Sequence, residues 1–407
     1  MGAGHSHGTA LESAPRASER TSIILASIVG VVLFLTLVGA AVVWPQDADE
    51  LGTWPTAAEG SRWVTAEIIG PASSGVEGEY GALIRGEEDQ GEVILLGTGD
   101  PALEIRTGDV IRALELPDGY LVFADFERGS PLLILAIAYV LVVLAVARWR
   151  GLGALLGLVA AFGVVILFTI PALFAGGDPL IVGLVTGSGA LFVLLYLAHG
   201  PNARTTTAYL GTLAGLMITA ALAWWAVGAS RLTGIWNEEG VHLEFWYRGV
   251  SLEGLVLCGI ILAGLGVLND VTITQASAVW ELRAVRPDMS RWELFRRGMR
   301  VGRDHIASTV YTIAFAYVGA ALPTIMMVSL YSQSLGVTLT SAEFAEEVVR
   351  TLVGSIGLVL AVPLTTAIGA LVVGRHAIRD EDVAEAAVEG ADGEGLDPAR
   401  ASDAGPG

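Results

Sequence analysis

The residues with the clearest chemical potential form one short run after an apolar stretch that begins near residue 252. They are Asn269, Asp270, Thr272, Thr274 and Gln275. Asp270 and Thr274 are four residues apart and would share one face of a helix. An ionised Asp inside a bilayer costs roughly 3 kcal/mol, so it rarely persists there without a partner or a water path. The run predicts either an ion or substrate path, or a carboxylate at the headgroup level that caps a helix or pairs with Arg.

A second polar group, Asp304, His305 and Ser308, follows a basic segment. Histidine titrates near neutrality, so His305 could exchange protons with Asp270 if the two helices touch. We therefore predict that Asp270 faces the bundle interior, with Asp304, His305 or Ser308 opposite it.

Motifs typical of enzyme active sites are missing from the sequence. It contains no Gly-x-Ser-x-Gly elbow, no His-Glu-x-x-His and no Lys with which to build a nucleotide-binding loop. Cys258 is the only cysteine, which excludes an internal disulfide and a Cys-based metal cage. His5 and His7 alone make a weak metal site. The sequence predicts no enzyme, no metal centre and no cofactor.

The elements that must position the polar residues are membrane helices. The chain is 53% hydrophobic and only 16% charged, whereas soluble domains carry about 25% charged residues. A helix needs ~20 apolar residues to cross the hydrocarbon core. The sequence predicts an all-α polytopic membrane bundle of about eight transmembrane helices, with the first an uncleaved anchor rather than a signal peptide. The spans are 22–43, 131–147, 151–174, 179–199, 205–227, 252–274, 307–330 and 351–373, with a tight hairpin after the second.

Glycines recur four residues apart in three of these spans. The pairs are Gly153 and Gly157, Gly183 and Gly187, and Gly211 and Gly215. Small residues at this spacing let helices approach closely. We predict helix packing within the monomer, with a dimer interface as the alternative.

Residues 45–130 form a small extracytoplasmic β-rich domain. Strands are predicted near 63–69, 80–84, 92–96, 110–116 and 120–126, with turns such as Pro117-Asp118-Gly119 between them. Five short strands indicate a small barrel or sandwich, and OB-like barrels bind many kinds of ligand. A plain spacer is the alternative. The domain is strongly acidic within a chain of net charge -19, which argues against nucleic acid as a partner.

Arginine placement predicts the orientation, because basic residues concentrate at the cytoplasmic ends of spans. We expect a protein of the bacterial cell (plasma) membrane with both termini in the cytoplasm. Acidic or polar disordered tails are predicted at 1–21 and 377–407. The basic segment 281–302 is predicted to face inward. Ser290 and Glu293 have capping-box spacing there, which favours a short amphipathic helix on the lipid bilayer surface, although a simple charged loop is an equal alternative.

Two stretches resemble the YibE/F family of bacterial membrane proteins. They are Gly266 to Ser277, including Asn269-Asp270-Val271-Thr272, and Gly302-Arg303-Asp304-His305-Ile306-Ala307-Ser308-Thr309. The resemblance covers roughly 131–376 and implies a seven-helix membrane domain, but it implies no particular reaction. The Asn269-Asp270 step is also similar to the SecF half of a proton-driven RND-type translocation motor. The large outer domain and the Arg near Ser308 that the SecF resemblance would imply are both absent from this sequence.

Two functions follow as hypotheses. The first is a transporter or export-related permease with a polar or proton path near Asp270, and its substrate is not specified by the sequence. The second is a non-transporting membrane scaffold or sensor whose outer domain binds a partner protein or a ligand. Transport predicts polar residues around an interior cavity, whereas a scaffold predicts a dry bundle.

Overall fold

The computed structural model describes residues 17–46, 51–53, 55–76, 78–86, 93–96, 104–235, 238–247, 249–332 and 334–374. The predicted C-terminal tail, 377–407, lies outside these ranges. So does the predicted N-terminal tail, with His5 and His7, except for residues 17–21. The chain divides into two compact units. One contains residues 47–155, and the other contains residues 1–46 together with 156–407.

The first unit contains a closed five-stranded barrel, as the alternating apolar pattern predicts. Its strands are β1 (Arg62–Pro71), β2 (Glu79–Ile84), β3 (Val93–Leu96), β4 (Val110–Glu115) and β5 (Leu121–Phe126). They close in the order β1-β2-β3-β5-β4, and only the β3–β5 pair is parallel. This arrangement is that of an OB-type Greek-key barrel.

The barrel has its own hydrophobic core. Alternate residues of each strand point inward, and Ile68, Leu95, Ile111 and Leu121 are almost completely buried. The outward-facing Trp63 is partly exposed, and the Arg112 guanidinium lies 5.7 Å from its ring centroid. A closed sheet around a separate core has no free edges, so this unit contains what an independently folding domain needs.

We therefore expect residues 46–129, expressed alone, to fold as a soluble β-rich domain. Circular dichroism should show a β spectrum and one cooperative thermal transition. Replacing the buried Ile111 by Asp should abolish that transition, because an unpaired charge in a small core is strongly unfavourable. A random-coil spectrum for the unmodified fragment would contradict the expectation.

The rest of the described chain is helical. The helices are α1 (Glu19–Val42), α2 (Gly129–Val164), α3 (Ile170–Phe174), α4 (Pro179–His199), α5 (Ala203–Ala229), α6 (Glu238–Trp246), α7 (Leu252–Val285), α8 (Arg291–Ala320), α9 (Leu322–Ser329), α10 (Leu335–Thr340) and α11 (Ala342–Val372), with a π-helical turn at Val165–Thr169. The core of the second unit is built mainly from α5, α7 and α11, with α4 and α8 packed beside them.

Within the described residues, six helical segments are long and apolar enough to cross a membrane, and the bent α8–α9 pair is a seventh. The segment Gly129–Phe174 is counted as one of the six. However, Arg148 has φ 54 and ψ -132, which breaks the helix. A Cβ on Gly151 would lie 2.8 Å from the carbonyl oxygen of Val143. Eight residues of straight helix would separate Val143 and Gly151 by about 12 Å. Because the two residues are in contact instead, the chain reverses direction here, where the sequence predicts a tight hairpin.

Three helices differ markedly from their predicted bounds. α11 begins at Ala342, well before the predicted start at residue 351. α7 continues past residue 274 to Val285, and the basic segment after it is neither a separate helix nor a loop. It is the first part of α8, which begins at the predicted cap, where the Ser290 hydroxyl accepts a hydrogen bond from the Glu293 amide. The helix then ends at Ala320, and α9 leaves it at 67° with Pro323 in its first turn. Helix α8 includes the charged residues because Pro287 lies before the N-cap, Ser290, and therefore does not interrupt the helix.

Candidate functional site

Close glycine contacts hold α5 against α11 and α7. A Cβ on Gly211 would lie 2.9 Å from the Cβ of Thr365 and 3.2 Å from its Cα. Gly215 faces Ala361 and Leu268 in the same way, each at 2.8 Å from an added Cβ. These distances leave no room for a side chain, so the backbones of α5 and α11 touch.

Three other glycines of the predicted pairs also lie against neighbouring helices. An added Cβ would be 3.2 Å from Leu194 at Gly157, 3.2 Å from Ile261 at Gly183 and 2.7 Å from Leu216 at Gly187. Gly153 is half-buried. All of these contacts are within the monomer.

Hydroxyl groups bridge the helices inside the bundle. Thr36 on α1 bonds Ser188 on α4 at 2.8 Å, and Ser188 bonds Tyr209 on α5 at 3.0 Å. Thr272 on α7 bonds Thr212 on α5 at 2.5 Å, and both side chains are fully buried. Buried hydroxyls are costly unless they are paired. Thr272 is therefore a structural contact between two helices.

Gln275 has a comparable role between α7, α8 and α11. Its amide nitrogen donates to the Gly298 carbonyl at 2.9 Å and to the Thr366 hydroxyl at 2.7 Å. An added Cβ on Gly302 would lie 3.1 Å from the Gln275 amide oxygen. Gly298 and Gly302 have the same four-residue spacing as the other pairs, so the sequence carried the signal for this contact. Gln275 and Thr272 hold the helices together on the side of α7 that faces the core.

Asp270 does not face the bundle interior, contrary to the prediction. Its side chain and that of Thr274 are exposed. The reason is helical periodicity. Leu268, Val271, Thr272 and Gln275 are buried on one side of α7, and at 100° per residue Asp270 lies about opposite the centre of that side. Thr274 does share the Asp270 face, but its hydroxyl donates to the Asp270 carbonyl rather than to the carboxylate.

The carboxylate nevertheless lies well away from both ends of the bundle, measured along α7. α7 runs antiparallel to α5, with Thr272 beside Thr212 and Leu268 beside Gly215. Asp270 is thus level with the part of α5 that lies about 15 Å from its first residue, Ala203, at 1.5 Å per residue. The hydrocarbon core is ~30 Å thick. An exposed Asp at this level faces either lipid or another molecule that covers this side of α7.

The face of α7 that carries Asp270 is lined by small residues. Gly259, Ala263 and Gly266 are at least partly exposed on it, and nothing lies within 4 Å of a Cβ added to Gly259 or Gly266. Small residues usually mark close helix packing, yet these two contact no other helix in the described part of the chain. The described residues therefore leave this face of α7 uncovered as far as the carboxylate.

Two polar atoms near this depth are buried without a hydrogen-bond partner among the described residues. They are the amide oxygen of Asn269 and Nε2 of His305. Gly298 and Gly302 both meet Gln275, so His305 on α8 and Asp270 on α7 lie at similar depths. Asp304 and Ser308 are exposed, and the Ser308 hydroxyl donates to the His305 carbonyl. Unpaired buried polar atoms call for water, an ion or a ligand.

A cavity of about 660 Å³ opens at the opposite end of the bundle from the α7–α8 turn. The start of α4, the end of α5 and the start of α7 line it, with Asp178, Glu253, Trp224 and Trp225 among the lining residues. The carboxylates would favour a cation, although Asp178 also caps α4 by accepting from the Ile181 amide. No sequence pattern groups Asp178, Glu253 and the Trp224-Trp225 pair, since these three positions are far apart in the chain.

Comparison with known proteins gives one match. A family model described as YibE/F-like protein matches residues 135–375, more than half of the chain. No curated protein and no solved structure matches.

Proposed function

The chain belongs to the YibE/F-like protein family, and from this premise we propose that this integral membrane protein is a permease whose ion or substrate path passes Asp270. The observation that carries the proposal is an exposed carboxylate that lies well away from both ends of the bundle. Its insertion costs roughly 3 kcal/mol, and no ion-pair partner for it lies within the described residues. A residue that is costly and unpaired in the resting structure is expected to serve a ligand.

The neighbouring groups support the same site. The unpaired Asn269 oxygen and His305 Nε2 could hold water or a cation near the carboxylate. No described residue covers the face of α7 at Gly259 and Gly266, so Asp270 can be reached from that side of the helix. We therefore propose a proton or another small cation as the species that Asp270 binds, with His305 as a second proton acceptor.

We further propose that the chain crosses the membrane eight times. The six long apolar segments become eight when 129–174 counts as two spans and the bent α8–α9 pair as one. The ends of α7 and α11 and the starts of α1 and α8 surround one cavity, so they share one end of the bundle. Because that end is rich in arginine, we assign it to the cytoplasm.

This orientation predicts how a cysteine at position 290 will behave. In a Cys258→Ser background, Ser290→Cys should resist an impermeant thiol reagent in intact cells and react after permeabilisation. Ser251→Cys, at the other end of α7, should react in intact cells. Labelling in the reverse order would overturn the assignment.

A scaffold or sensor is the second candidate. The observation in its favour is the close-packed interior, where Thr212 with Thr272 and Gln275 with Thr366 are already paired. In that reading the OB-type barrel binds a partner or ligand, and Asp270 meets another membrane protein.

Ion movement distinguishes the two. The purified full-length chain would be reconstituted in proteoliposomes that contain a proton-sensitive dye, with an imposed pH gradient. Dye response faster than in protein-free vesicles supports the permease. If the rate equals that of protein-free vesicles under proton, Na⁺ and K⁺ gradients alike, the scaffold is favoured.

A further inference from the structure

A separate cavity of about 460 Å³ lies at the end of the bundle where α7 turns into α8. Its lining combines Ser18 and Thr21 from the start of α1, Arg283 from the end of α7 and Arg291 from the start of α8. The last turn of α11 completes the wall with residues 371–374. Arg283 is about 20 Å along α7 from Asp270, at 1.5 Å per residue, and the proposed path does not use this cavity.

The chemistry of the lining suits a phosphate group. Two arginines and two hydroxyl residues line one space, and none of the described residues that line it carries a carboxylate. The Ser18 and Thr21 hydroxyls are hydrogen-bonded to each other at 2.7 Å, so one hydroxyl hydrogen of the pair remains for a ligand. Arg283 is 1% exposed, and one of its nitrogens holds the α7–α8 turn by donating to the carbonyls of Pro287 and Met289. Its position is therefore fixed. Guanidinium groups bind phosphate oxygens with charge-assisted hydrogen bonds, and the first turns of α1 and α8 add partial positive charge.

The surroundings indicate that the phosphate belongs to a lipid. Next to Arg291, Trp292 is 68% exposed and stacks on Phe295 with ring centroids 5.5 Å apart. Exposed Arg296 and Arg300 follow on the same helix. Tryptophan beside arginine at the end of a membrane helix is the usual composition of the headgroup layer. A free anion would not need the aromatic neighbours, whereas acyl chains would cover them.

We propose that this cavity binds the phosphate of an anionic phospholipid headgroup, with Arg291 and Arg283 as its ligands and one hydroxyl of the Ser18–Thr21 pair as a further donor. The bound lipid would join the starts of α1 and α8 to the ends of α7 and α11. It would stabilise the cytoplasmic end of the bundle. The proposal is independent of the proposed transport function.

Arg291→Gln tests the site, because Arg291 is exposed and, unlike Arg283, makes no described contact that the turn needs. The full-length protein in detergent would be titrated with phosphatidylglycerol and followed by native mass spectrometry. We expect affinity to fall about fivefold, the effect of one arginine near an anionic lipid. Arg300→Gln is the matched control, with the same charge change on the same helix outside the cavity, and should bind like the unmodified chain.

Two further arms separate the possible occupants. Inorganic phosphate at millimolar concentration should not displace the lipid, and displacement would overturn the lipid as occupant. Removing residues 380–407 should leave the lipid affinity unchanged. A several-fold rise would mean that the chain's own acidic tail occupies the cavity. Equal loss in Arg291→Gln and Arg300→Gln would overturn the site itself, since only general surface charge would then matter.

Discussion

Gly211→Ala is expected to destabilise the membrane unit by about 2–3 kcal/mol, which is the cost of forcing an extra carbon into a close-packed core. The added Cβ would overlap the hydroxyl of Thr365 and lie 3.2 Å from the Thr365 Cα. A side chain can rotate away, but a backbone atom moves only if α5 and α11 separate. The same helices carry the Gly357 and Thr219 contact, where an added Cβ would overlap the Thr219 hydroxyl. Separation would therefore disturb several contacts at once.

The matched control is Gly259→Ala. Gly259 lies inside α7, and nothing is within 4 Å of its added Cβ. There the substitution should be neutral or stabilising by up to about 1 kcal/mol, because alanine favours a helix over glycine. Both variants would be compared by thermal unfolding in one detergent, after removing bound lipid to the same extent. Equal melting temperatures for the two variants would contradict the helix contacts described for α5 and α11.

Much of the fold could be predicted because it rests on local patterns. The five strands follow from alternating apolar residues and turn signals, and the membrane helices follow from long apolar runs. The reversal near Arg148 was predicted from the charged Arg148-Trp149-Arg150 step between two apolar runs. The continuation of α7 to Val285 was missed, because hydropathy marks where a span leaves the lipid and not where the helix ends.

The site was harder to predict, because the polar run contains residues with opposite surroundings. Thr272 and Gln275 face the core, whereas Asp270 and Thr274 face away from it. Periodicity separates these two groups, but it does not say which of them is buried. That choice depends on partners distant in sequence, such as Thr212 and Thr366. The prediction that Asp270 faces the bundle interior was wrong, because it assumed that a carboxylate in a membrane helix must face inward.

Asp270→Asn is expected to abolish ion movement while leaving the amount of folded protein unchanged or higher. The carboxamide has the same shape but cannot take up or release a proton near neutral pH. Because the carboxylate is exposed and makes no described ion pair, its removal leaves no buried group unpaired. It also removes the part of the insertion cost, roughly 3 kcal/mol in all for an ionised Asp, that is due to the charge. Stability and activity should therefore respond in opposite directions, which a purely structural residue would not show.

Glu281→Gln is the matched control for this variant. Glu281 is also exposed on α7, eleven residues further along and close to the same face, but it lies near the arginine-rich end of the helix. The two changes remove the same charge from the same helix at different depths. In proteoliposomes with a proton-sensitive dye, Glu281→Gln should retain the rate of the unmodified chain, and Asp270→Asn should fall to that of protein-free vesicles. If both variants conduct equally well, depth in the membrane has no bearing on activity. The carboxylate at 270 then has a role outside transport, such as contact with a neighbouring membrane protein.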